Sequence, residues 1–272
     1  MTMLTVLSPL SAWLVMLALS AQACRHGEAG GGHFLTARHL LLAYALPMSG
    51  IIALPLLLPL SPESRLGLMI CVLSGCGTSG AAIARSAGAR PDRIIALMLA
   101  SAAIALIGLP LAVLLQTDSS HFLGSAGTIL AVLLLAQWLP FQLGSRHFRR
   151  HRDQQQIERL LDRLASISVI ALILLIAWQE LPRLPAHPEI ALAGALTAVM
   201  LGLVSRVATA PTPGLETLIV VRNLTAATLV TTQLPMAAEA MTALCAFGLA
   251  MYPVALTVTW LARPPRAGQS PL

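Results

Sequence analysis

Residues Ser64–Arg85, SRLGLMICVLSGCGTSGAAIAR, read as a membrane-crossing apolar run with a break at its centre. The centre is Ser74-Gly75-Cys76-Gly77-Thr78-Ser79-Gly80, where three glycines and three small hydroxyls replace the aliphatic residues on either side. Such a composition weakens a helix. It predicts either close packing through small-xxx-small pairs such as Gly75/Ser79 and Gly77/Ala81, or an unwound crossover. A second run, residues 213–234, carries Arg222-Asn223-Leu224-Thr225 at mid-depth, followed by Thr228, Thr231 and Thr232. Arginine and asparagine in hydrocarbon must face a cavity or partners. For Arg222 the alternatives are an ion pair with Glu216 or Glu239, or a functional charge. For Asn223 they are a cross-helix hydrogen bond or a place in a site.

The composition around these runs fixes their setting. Of 272 residues, 57% are hydrophobic and 10% charged, against about a quarter charged in an ordinary soluble domain. Mean hydropathy is +0.80. A soluble globule, a disordered chain and a collagen-like chain are excluded, which leaves an all-α polytopic membrane protein. A span needs about 20 apolar residues. Nine segments satisfy this, roughly 3–23, 36–60, 64–86, 92–116, 124–144, 159–179, 188–207, 213–234 and 237–262. The four cysteines, Cys24, Cys71, Cys76 and Cys245, lack zinc or disulfide spacing and read as packing residues.

Charge orients the spans. Net charge is +6 and every basic residue is arginine. The arginines lie between apolar runs and not on one soluble face, so no nucleic-acid partner is expected. With the amino terminus outside, the inner segments hold Arg25, Arg38, Arg85, Arg90, Arg93, Arg146, Arg149, Arg150, Arg152, Arg159, Arg163, Arg206, Arg263 and Arg266. The outer loops hold only Arg65 and Arg183. This asymmetry predicts amino terminus out and carboxyl terminus in the cytoplasm. The stretch 145–158, within RHFRRHRDQQQIERLLDR, reads as a solvated cytoplasmic connector. Ala21-Gln22-Ala23 resembles a cleavage site, but no charged residue precedes the first run, so a retained span is expected. His26, His33, His39, His121, His147, His151 and His187 fall in or near loops and read as interfacial rather than metal-binding.

The two interrupted spans are the third and the eighth. Their odd offset makes them cross in opposite directions. Paired interrupted segments in inverted halves point to a transporter's central site, because broken helices expose amide ends for anions and carbonyls for cations.

These residues resemble the bile acid:sodium symporter family, in its bacterial branch. SGCGTSGAAIARSAG, Ser74–Gly88, is similar to the family's PGGxxSN followed by a later glycine, with Ser79 on the serine and Gly88 on that glycine. LETLIVVRNLTAATL is similar to ExGxQNxxLA, with Asn223 on the asparagine and Ala226 or Ala227 near the alanine. Pro140-Phe-Gln-Leu-Gly144 is similar to a PxxxG step in the family's middle span. The resemblance covers nearly the whole chain. It implies two inverted repeats, residues 1–118 with four spans and 119–272 with five, arranged as a panel and a core in which the broken helices cross. It also implies the inner membrane of a bacterium. Ser74 stands for the family proline, Gly80 for the motif asparagine, Arg222 for the glutamine and Leu218 for the glutamate. That glutamate and asparagine are sodium ligands in sodium-coupled members, and hard cations need several oxygens. Sodium coupling by the usual route is therefore not expected, and Arg222 supplies the positive charge instead.

The function expected is secondary transport of a small organic anion by alternating access. Thr78, Ser79, Arg222, Asn223 and Thr225 form the substrate site. Glu216 is the coupling group if the ion is H⁺ rather than Na⁺. No cofactor or resident metal is expected. An arsenite-efflux carrier of related fold is a second reading, resting on Cys76. A non-transporting sensor or structural subunit is a third. No HExxH, GxSxG or paired-aspartate pattern marks an enzyme.

Overall fold

Ser61-Pro62-Glu63 starts the first half of the broken run. The Ser61 hydroxyl accepts from the Ser64 amide at 3.2 Å, Pro62 opens the first turn and Glu63 follows it, a helix-start pattern. In a computed structural model of the chain, the described residues are 2–26, 44–116, 127, 130–131, 133–150, 155–182, 184–209, 214–231 and 237–262. They form eleven α-helices: α1 Thr2–His26, α2 Leu46–Leu57, α3 Pro62–Leu73, α4 Thr78–Ser86, α5 Pro91–Gln116, α6 Leu139–Arg150, α7 Gln155–Glu180, α8 Pro188–Thr209, α9 Leu215–Val220, α10 Leu224–Thr231 and α11 Ala237–Leu261. A π-helical stretch, Leu133–Trp138, leads into α6, and a 3-10 turn, Leu184–Ala186, precedes α8. No strand occurs among the described residues.

Three helices among them are long and apolar enough to cross a membrane: Pro91–Leu114, Pro188–Val207 and Ala238–Leu261. The surface is that of a membrane protein. Trp178 is 83% exposed and Ile107 72%, while serines, threonines and an arginine are buried at the centre. In water such a surface would be an aggregation hazard; in lipid the apolar side chains face outward and the polar ones inward.

The helices pack in two groups. α1 packs along α6 and α7. α11 packs along α8 and α3, and with α2, α5, α9 and α10 these make the other group. Glycines let the second group close up. A Cβ on Gly194 of α8 would lie 2.7 Å from the Phe247 amide nitrogen of α11. Gly67 of α3 lies directly on the Ala240 backbone of the same helix. Small residues at such contacts allow backbones to approach where lipid supplies no hydrophobic drive.

The basic stretch expected as a connector is mostly helical. α6 runs through Arg149 and Arg150, and α7 begins at Gln155. No glycine or proline stands from Gln155 to Glu180, so nothing stops the helix at its charged end. Residues 151–154, the Ala21-Gln22-Ala23 side chains beyond Ala21, and His33, His39, His121 and His151 lie outside the described residues.

Polar contacts sort the two ends. Arg85 pairs with Asp162 at 2.9 Å, joining α4 to α7. Gly214 sits against Ala84, and Arg206 lies near enough for its charge to act on Glu216. At the opposite end of α3, the Ser61 hydroxyl donates to Glu239 at the start of α11.

Candidate functional site

Two breaks in the helices create the site. α3 ends at Leu73, where Ser74 caps it and its hydroxyl donates to the Cys71 carbonyl at 2.7 Å. Gly75 then takes φ +76°, a left-handed turn that glycine accepts without strain. Cys76 and Gly77 run extended into α4. In the second half, α9 stops at Val220 and α10 starts at Leu224, with Val221, Arg222 and Asn223 between them.

The two extended segments lie against each other as a short antiparallel bridge centred on Cys76 and Arg222. The Gly77 amide donates to the Val221 carbonyl at 2.8 Å, and the Asn223 amide donates to the Gly75 carbonyl at 3.0 Å. Each broken helix thus satisfies part of the other's freed backbone, as a non-aqueous interior requires. A Cβ on Gly77 would stand 2.6 Å from the Arg222 carbonyl oxygen. The glycine cluster is therefore an unwound crossover, and the approach of the second strand is what requires glycine there.

Arg222 is 1% exposed and is the largest of the fully buried side chains. Its Nη2 donates to the Met48 sulfur at 2.9 Å, and its guanidinium carbon stands 5.7 Å from the centre of the Tyr44 ring, within cation–π range. Its Nε has no hydrogen-bond partner among the described residues. The ion pairs weighed from the sequence are not formed. Glu239 is held by Ser61. Glu216 is buried at the first turn of α9, the end remote from Arg222. Five residues separate the two, four of them helical, so the rise from Glu216 to the end of α9 is about 6 Å.

The other expected site residues fall around this point. Asn223 caps α10: its side-chain oxygen accepts from the Ala226 amide at 3.1 Å. Ser79 is buried and shares a 3.2 Å hydrogen bond with the Tyr252 hydroxyl of α11. Thr78 is the first residue of α4 and half-buried. Gly77 offers α4 no side-chain cap, so the first amides of that helix are without one. The backbone of Thr225 lies in α10, while its side chain and Thr232 are outside the described residues. Glu216 is not brought to the crossing.

Five further residues line the crossing. Tyr44 shares a short hydrogen bond with the Cys76 thiol. Ser101 of α5 accepts from the Cys76 amide at 2.9 Å through its hydroxyl. Met251 receives the Arg222 amide at 3.4 Å. Met48 and Tyr252 complete the set. The chain has only two tyrosines, and both hydroxyls face the crossing.

An apolar exterior, a polar centre and two broken helices pairing backbone to backbone define an all-α membrane protein. The chain belongs to the sodium bile acid symporter family, whose pattern matches residues 34–180. The match takes in the first broken helix and ends before the second, so Arg222 and Asn223 lie beyond it. No curated protein matches the chain.

Proposed function

We propose that the chain is a secondary carrier that moves a small organic anion by alternating access, with Arg222 as the anion's partner. The observation that carries this reading is a buried guanidinium at the crossing of two broken helices, without a carboxylate among the described residues. A buried charge is retained only where it is paired, and removing a partner leaves a penalty of several kcal/mol. A transported carboxylate or sulfonate is the partner that fits, since guanidinium binds such groups bidentately. Thr78 and Ser79 offer hydroxyls from one side, and Asn223 and Thr225 stand at the start of the other half-helix. Membership of the family supports transport as the activity.

Sodium coupling by a route centred on this crossing fits poorly. The side-chain groups nearest Arg222 are thioethers, a thiol and phenol or alcohol hydroxyls. The Asn223 amide oxygen is engaged as a helix cap. A hard cation prefers carboxylate and carbonyl oxygens. Coupling to H⁺ through Glu216 is the alternative.

The wider architecture proposed is nine spans in two inverted repeats, residues 1–118 and 119–272, in a bacterial inner membrane. The amino terminus is outside and the carboxyl terminus cytoplasmic. Grouping of Arg85, Asp162, Arg206 and Glu216 at one end, and of Ser61 and Glu239 at the other, agrees with that orientation.

Arsenite efflux is a second reading, favoured by the place of Cys76 in the bridge itself. A Cys76→Ser strain with unchanged arsenite tolerance removes it. For the main reading the test is uptake of labelled organic anions by cells expressing wild type or Arg222→Ala. Uptake is expected to fall at least tenfold. Wild-type uptake in the variant refutes the role of Arg222.

A further inference from the structure

We propose that the crossing holds one monovalent anion, and that its fixed arginine makes the carrier an obligatory exchanger of such anions. The inference rests on the reading of Arg222 as the anion's partner and adds its charge balance. Four helix ends meet at the crossing: the carbonyl ends of α3 and α9 and the amide ends of α4 and α10. Their partial charges are of opposite sign and oppose each other. At the crossing, the formal charge left among the described residues is that of Arg222. Glu216 is at the far end of α9, and Glu239 is bonded to Ser61. The centre is therefore positive when empty, neutral with a monoanion and negative with a dianion. A low-dielectric interior penalises both charged states.

The balance sets the mode of transport. An alternating-access carrier passes through a conformation closed to both sides, and here Arg222 is 1% exposed. A loaded carrier makes that passage with its guanidinium neutralised. An empty one makes it with the guanidinium against the Met48 thioether and the Tyr44 ring. The membrane field acts in the same sense. Exchange of one monoanion for another moves no net charge, whereas return of the empty carrier moves one positive charge. Net uptake needs the empty passage and exchange does not.

Purified protein would first be screened by thermal unfolding in a low-salt zwitterionic buffer free of Na⁺ and of organic anions. Acetate, pyruvate, methanesulfonate and cholate serve as monoanions, succinate and sulfate as dianions. The monoanion with the largest stabilisation then becomes the transport probe. Proteoliposomes preloaded with it are expected to take up the labelled anion at least tenfold faster than unloaded ones. That rate is expected to stay unchanged under a valinomycin-imposed potassium potential. Equal rates with and without internal anion overturn the inference and leave Arg222 as an anion site. So does a dianion that stabilises more than every monoanion. No stabilisation by any of the six removes the anion-carrier reading itself, and this inference with it. Arg222→Lys is expected to keep exchange, and Arg222→Gln to lose the thermal response. The liposome comparison uses wild-type protein and depends on neither variant.

Discussion

Arg222 and Asn223 are neighbours with different work. Asn223 holds up a helix, since its side chain caps α10. Asn223→Ala is expected to lower stability by about 1 kcal/mol, and Asn223→Asp to retain most of it, as read by thermal unfolding in detergent. Arg222 is held by a thioether and a ring, which are weak compensation for a buried cation. Arg222→Met is therefore expected to leave the protein as stable as wild type, or more stable by up to about 4 kcal/mol, while abolishing stabilisation by anions. A loss of more than about 2 kcal/mol in Arg222→Met would show a structural ion pair instead. Both residues were legible from the sequence because arginine and asparagine are out of place in an apolar run. Tyr44, Met48, Met251 and Tyr252 were not. Aromatic and thioether side chains are ordinary in such runs, and which runs face each other is decided by tertiary packing. Glu216 shows that residue type alone does not give position: it lies in the first turn of α9 and not at the break.

At the scale of the element, the breaks were legible and their pairing was not. Glycines and hydroxyls in one run and Arg-Asn in another marked both interruptions. The hydrogen bonds from Gly77 to Val221 and from Asn223 to Gly75 join residues far apart in sequence, and no local pattern encodes them. Small-residue spacing left packing and unwinding as equal readings. The left-handed Gly75 and the backbone pressed against Gly77 decide for unwinding. Gly77→Val is expected to prevent the crossing from forming, since its Cβ meets main chain that has no side-chain freedom to move aside. The check is loss of the folded, monodisperse species on size exclusion. Gly194→Leu tests ordinary packing instead. It forces α8 away from α11 and is expected to destabilise by about 1–3 kcal/mol or more without altering anion selectivity. The charged stretch after α6 shows the limit of composition as a guide. Charge content predicts a solvated segment there, but charge does not end a helix, and α6 and α7 run into it from both sides.

At the scale of the whole molecule, Arg85–Asp162 is an ion pair between elements of the two halves of the chain. It ties the broken helix α4 to α7. Its partners are 11% and 31% exposed, so solvent screens it partly. A double-mutant cycle on Arg85→Ala and Asp162→Ala is expected to give a coupling of no more than about 1 kcal/mol, weakening with salt. The class of the protein was the most legible property, because charge content and run length constrain it without any knowledge of contacts. The carrier proposed above has a fixed arginine in the place of a coupling cation at the crossing. That role is tested most directly by thermal unfolding of purified protein with an organic anion series, each measured in Na⁺ and in choline. Anion stabilisation of equal size in both cations is the result expected, because binding raises stability by mass action and Arg222 needs no metal ion. Stabilisation that appears only with Na⁺ would contradict the account and return the site to ordinary sodium symport.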